Sequence, residues 1–119
     1  MIELVQSLRR IMSHLDDVRG IALVGMDGLV VEEIKQDPLA DLHSLAAELS
    51  VSLKQLADVA DACTLGRLET FQMESAAGVA IVTAVGAEYF LLLVLRPGGN
   101  SGRGRFYMQL EAHRMAEEF

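Results

Sequence analysis

Residues 18–33 read VRGIALVGMDGLVVEE, and this stretch decides the fold. Two runs, 19–25 (RGIALVG) and 29–35 (LVVEEIK), flank Met26-Asp27-Gly28. Asp-Gly between apolar runs is a hairpin signal, because the turn needs a positive φ that glycine adopts without steric cost. Gln36-Asp37-Pro38 ends the second strand, since proline lacks the N–H a ladder requires.

Ahead of the hairpin, residues 2–15 carry Leu4, Leu8, Ile11, Met12 and Leu15 at helical spacing. Arg9, Arg10 and Ser13 fall on the other side. Asp16 and Asp17 oppose the negative end of the helix dipole and predict its stop. After the hairpin, residues 39–62 predict the longest helix. Its core stripe is Leu42, Leu45, Ala46, Leu49, Leu53, Leu56, Ala57 and Ala60. Its outer face is mild for a solvated surface, with Ala47 and Val51 among Ser44, Lys54, Gln55 and Asp58. A contact face explains this; so does alanine's helix propensity with one stray valine.

Residues 65–74 (LGRLETFQME) predict a strand that is polar for its length. Arg67, Glu69, Thr70, Gln72 and Glu74 are interspersed with Leu68, Phe71 and Met73, which suits a sheet edge. Such an edge is expected to pair with its own copy, with Leu68, Thr70 and Gln72 at the dimer interface. Runs 78–85 and 88–95 are continuously apolar, so the sheet should be covered on both faces. Ala76–Leu95 has the apolar length of a membrane span. Gly86-Ala87-Glu88 splits it, however, and its β-branched residues favour two buried strands, so no membrane insertion is expected. Residues 96–105 (RPGGNSGRGR) predict a mobile glycine-rich loop. A last helix over 105–118 places Met108, Ala112, Met115 and Phe119 on one stripe. The order is αββαβββα, in a single domain over 1–119 without repeats.

Composition narrows function. At 119 residues and 51% hydrophobic, the chain is long and apolar enough for a real core. Acidic residues outnumber basic ones 17 to 10, a net charge of −7 that repels a phosphate backbone, so no nucleic acid is expected. The lone Cys63 forms no internal disulfide, and MIELVQSLRRIMSHL lacks a signal peptide's apolar run, so a cytoplasmic location is expected.

No catalytic constellation emerges. The glycine-rich loop lacks Gly-Lys-Ser/Thr and dinucleotide spacing; Arg103 and Arg105 could hold an anion there, but a flexible connector explains the loop better. His14, His43 and His113 fit no metal pattern. Gly-x-Ser-x-Gly is absent, and Cys63 is read as a packing residue. Neither enzymatic activity, cofactor nor metal is expected.

The whole pattern resembles the Roadblock/LC7 family. The resemblance rests on VRGIALVGMDGLVVEE at 18–33, the leucine/alanine helix 39–62, GVAIVTAVGAEYFLLLVL at 78–95, and Asn100-Ser101-Gly102, which is similar to the family's Asn-x-Gly. Within the family the chain looks most like the bacterial gliding-protein B group. The resemblance implies an α+β, profilin-like, Roadblock-type fold: a five-stranded antiparallel sheet, the long helix on one face and the terminal helices on the other. It also implies homodimers joined through the third strand and the long helix, and a non-catalytic regulator or scaffold of a small Ras-like GTPase. The partner-binding residues are then expected on the outer face of the long helix, at Ala47, Val51, Lys54 and Asp58. A purely structural dimerisation module and, from another class, a small-ligand sensor are the competing functions.

Overall fold

The computed structural model describes residues 3–118. The elements are α1 (Leu4–Met12), β1 (Val18–Gly25), β2 (Val30–Lys35), α2 (Leu42–Ala62), β3 (Thr70–Ser75), β4 (Gly78–Val85), β5 (Tyr89–Leu95) and α3 (Ser101–Ala116). They form an α+β fold around one five-stranded sheet, ordered β2-β1-β5-β4-β3 and antiparallel at each pairing. The segment of membrane-span length is β4 and β5, and no helix among the described residues is long and apolar enough to cross a membrane.

The sheet is covered on both faces, which explains its continuously apolar strands. Side chains alternate across a strand. Ile21, Leu23, Ile81, Leu91 and Leu93 therefore pack with Leu8, Ile11, Met108, Ala112 and Met115 from α1 and α3. Ala22, Val24, Val82, Phe90 and Leu92 pack with Leu42, Ala46, Leu49 and Leu53 from α2.

The hairpin turn is longer than a two-residue loop. Gly25 N–H donates to Leu29 O, Gly28 N–H to Gly25 O, and Asp27 Oδ1 accepts from Leu29 N–H. Gly28 supplies the positive φ, +88°. A Cβ there would lie 2.8 Å from Ser50 Oγ and 3.3 Å from the Ala47 Cα, so glycine also lets the turn rest on α2.

Several boundaries differ from the expected ones. Helix α1 ends at Met12, before Asp16 and Asp17; Ser13 Oγ–H donates back to Arg10 O at 2.7 Å. Ile2, in the expected first helix, and Phe119, on the expected last stripe, lie outside the described residues. Residues 39–41 precede α2, and Asp41 caps it through Ser44 N–H at 3.1 Å and Ser44 Oγ–H at 2.7 Å. Strand β3 starts at Thr70, leaving Leu68 in the connection, half-buried against the α2 side of the core.

The largest correction concerns the glycine-rich segment. Only its first part is loop; α3 begins at Ser101, with Arg103 N–H donating to the Asn100 side chain at 3.0 Å. Glycine costs a helix about 1 kcal/mol relative to alanine, and a good N-cap returns about that much. Packing supplies the rest. Gly104 is buried, and its missing Cβ lets α3 approach Ile81 and Leu93 of the sheet.

Candidate functional site

Two strands end the sheet, and they differ. In β2 the sequence Val-Val-Glu-Glu-Ile-Lys is interrupted by a register shift between Val30 and Glu32, and Glu33 Oε2 faces His43 Nε2 at 3.4 Å. Bulges and charges are devices that keep an edge from pairing. Strand β3 has neither a bulge nor a proline; all six residues, Thr70–Ser75, pair regularly with β4.

The ladder shows which β3 groups are free. Ala84 N–H donates to Glu69 O at 2.9 Å, so 69 and 84 are a hydrogen-bonded pair. Such pairs alternate along an antiparallel ladder. Phe71, Met73 and Ser75 therefore direct backbone groups to β4, and Thr70, Gln72 and Glu74 direct theirs away from the sheet. The side chains divide too. Thr70 Oγ1 accepts from Gln109 Nε2 at 3.4 Å and Gln72 Oε1 from Arg105 Nη1 at 3.2 Å, both from α3. Phe71 packs on the α2 side.

The second surface is the outer face of α2. The expected core stripe is buried or half-buried, and Ala47, Val51, Lys54 and Asp58 are all exposed. Val51 is 57% exposed. Steps of four, three and four residues place these side chains on one helical face. Ala47 sits at the border of this surface, beside the hairpin turn. The helix is anchored at its start: hydrogen bonds from the Ser44 hydroxyl and N–H hold the Asp41 carboxyl below its ordinary pKa.

Other expected residues resolve less specifically. Arg103 Nη1–H donates to His14 O at 3.5 Å and Arg105 Nη1–H to Gln72 Oε1 at 3.2 Å, so both arginines weighed as anion ligands have protein partners. Cys63 is exposed at the C-cap of α2 and is not a packing residue. His14 stacks on Tyr107, with ring centroids 4.1 Å apart. No group of three His, Cys, Asp or Glu side chains converges on a possible metal position among the described residues. The apolar cavity between α2 and the approach to β3, lined by Leu53, Ala57, Leu68 and Phe71, has a volume of about 190 Å³, below the range usual for a small-molecule site.

Sequence reasoning missed the outer ridge of α3, where Phe106 and Leu110 are 60% and 50% exposed. Their i, i+4 spacing off the core stripe was the available signal, and it lay inside the expected helix 105–118, where only the core stripe was read.

Three solved structures share this architecture. Myxococcus xanthus MglB aligns over 99% of this chain and 98% of its own, with a TM-score of 0.84 and 16% identity. The gliding protein MglB from Thermus thermophilus aligns over 95% and 85%, with a TM-score of 0.83 and 16% identity. An MglB with a tetrameric arrangement gives the same coverages and identity, with a TM-score of 0.84. No curated protein sequence matches significantly. The Roadblock/LC7 domain model matches residues 4–96, and the chain belongs to the Roadblock/LC7 family.

Proposed function

We propose that this protein is a homodimeric, non-catalytic regulator or scaffold of a small Ras-like GTPase, acting in the cytoplasm in motility or cell polarity. Family membership and the likeness to MglB gliding proteins support the reading. The observation that carries it is the continuous exposed stripe Ala47–Val51–Lys54–Asp58 on a capped helix whose opposite side is core. A small apolar centre with a charged rim is the anatomy of a non-obligate interface.

Dimerisation uses β3. Residues facing one another across an antiparallel ladder point to the same side of the sheet, so two copies of one strand pair about a two-fold that passes through a residue. A two-fold at Gln72 engages the outward backbone of Thr70, Gln72 and Glu74 on both copies. At Phe71 or Met73 one of the three stays unpaired, so Gln72 is the favoured centre. The α2 stripe then occurs twice, and one GTPase straddles the pair. Contacts that differ between GTPase states shift its switch regions between conformations. No spacing selects Arg67, Arg103 or Arg105 for insertion into a partner, so positioning is favoured over an inserted arginine.

GTP hydrolysis and nucleotide exchange by the Ras-like GTPases of the same organism, measured with and without this protein, test the reading. A changed rate identifies a regulator, and binding at unchanged rates a structural scaffold. Absence of binding to each of them overturns the proposal.

A further inference from the structure

Helix α3 carries a stripe that neither the β3 edge nor the α2 face uses. Arg103, Phe106, Leu110 and Arg114 are spaced by three, four and four residues, so they lie along one side of the helix. Phe106 and Leu110 project from its middle, 60% and 50% exposed, with Tyr107 edge-on to Phe106 at 5.1 Å. Arg10 of α1 flanks the same ridge. The one carboxylate among these groups, on Glu111, is buried and shared by Arg10 and Arg114. Three guanidinium groups against this one carboxylate leave the middle of the ridge cationic in a chain of net charge −7, with Glu117 and Glu118 following at its C-terminal end.

The hairpin end of the sheet has the opposite character. A hollow of about 510 Å³ is lined by Met26, Asp27, Leu29, Val31, Ala87 and Glu88. Leu29 is 68% and Val31 49% exposed, and the charges at the rim are the carboxylates of Asp27 and Glu88. An apolar ridge flanked by arginines and an apolar hollow rimmed by acids are complementary in polarity and charge. Within one copy Arg103 bonds to His14 O and Arg114 pairs with Glu111.

We infer that the α3 ridge of one copy docks into the hairpin hollow of a second copy, Phe106 and Leu110 entering beside Leu29 and Val31, and Arg103 and Arg114 meeting Asp27 and Glu88. The contact uses different patches on its two sides. It is therefore head-to-tail and adds copies beyond a pair, independently of the β3 edge. Net charge opposes the growth and rim charges favour it locally, so the contact is weak and acts at high local concentration.

Sedimentation velocity from about 10 to about 500 µM, the range where weak contacts populate, tests the inference. The expected result is a mass that at least doubles across the range at low salt and grows less at about 1 M salt, where exposed pairs are screened. Phe106→Asp removes the ridge and Glu88→Arg reverses the rim; each holds the protein at its low-concentration mass. Mixed one to one, the two variants associate again, because each supplies the half the other lacks. Circular dichroism establishes that both are folded. A mass independent of concentration, variants that grow like the wild type, or a folded mixture that fails to associate overturns the inference. Gln72→Pro instead lowers the mass of the low-concentration species, so failure of β3 pairing is read separately.

Discussion

Arg10 Nη2 lies 2.7 Å from Glu111 Oε1, joining α1 to α3 across 101 residues of chain. The Glu111 side chain is 5% exposed and the Arg10 side chain 47%. The Arg10 Nε also donates to both carboxylate oxygens, and its pKa is raised chiefly by the Glu111 hydrogen bond. Arg114 is a more distant second partner at 3.5 Å. The pair fixes the terminal helices to one another over the sheet.

Unequal geometry predicts unequal mutants. Arg10→Ala leaves a buried carboxylate with its poorer partner and is expected to cost about 1–2 kcal/mol. Arg114→Ala removes an exposed contact and should cost under about 0.5 kcal/mol. Urea unfolding of both variants checks the order; equal losses would show that Arg10 is not the principal partner.

The two glycines at the start of α3 should respond oppositely to alanine. At Gly102 a new Cβ meets nothing closer than 3.7 Å, so helix propensity prevails and stability rises by about 0.5 kcal/mol. At Gly104 it lies 3.1 Å from both Ile81 Cδ1 and Leu93 Cδ2. Overpacking there outweighs the propensity gain, and a net loss of about 1 kcal/mol is expected. Thermal unfolding of the two variants measures the difference in sign.

Acid should destabilise the fold through Asp41 and Asp37. Hydrogen bonds to Ser44 lower the pKa of Asp41; the Leu39 N–H, then Arg19, lower that of Asp37. Folded pKa values below the unfolded ones mean stability that is present above the ordinary aspartate range and lost as pH falls through the depressed values. Melting temperature should therefore drop below about pH 4. Asp41→Asn keeps a capping oxygen without the titrating charge, and its melting temperature should fall less steeply over that range.

A two-fold at Gln72 predicts a specific cross-link. With the exposed Cys63 replaced by serine, Gln72→Cys brings two thiols opposite each other at a separation a disulfide can bridge. Mild oxidation should give a covalent dimer for Gln72→Cys and little for Glu74→Cys, whose copies lie apart in that register. The reverse preference, read on a non-reducing gel, would move the two-fold.

Much of this fold was legible because local signals agreed. Asp27-Gly28 marked the hairpin, and the leucine spacing of 42–60 marked α2. The uninterrupted apolar runs of β4 and β5 revealed a sheet covered twice. What was hidden depended on packing between distant segments. Residues 65–69 have strand-like composition, but Leu68 turns toward α2 and the regular ladder waits for Thr70. Glycines 102 and 104 signalled loop, and only the close approach of Gly104 to Ile81 and Leu93 makes helix the better solution there. The exposed α2 stripe was visible as a missing charge density, whereas the α3 ridge lay within the expected helix but off its core stripe, and only its exposure in the fold singles it out.

Titration calorimetry of this protein with a Ras-like GTPase of the same organism, in GDP-bound and GTP-analogue-bound forms, measures whether the α2 stripe is the GTPase contact. One GTPase per dimer is expected, with binding that differs between the two nucleotide states and is lost in Val51→Glu, whose mass and melting temperature stay unchanged. Ala47→Arg should weaken binding as well, although its place beside Gly28 makes Val51 the cleaner variant. Undiminished binding by Val51→Glu, or no binding in either nucleotide state, would contradict that contact.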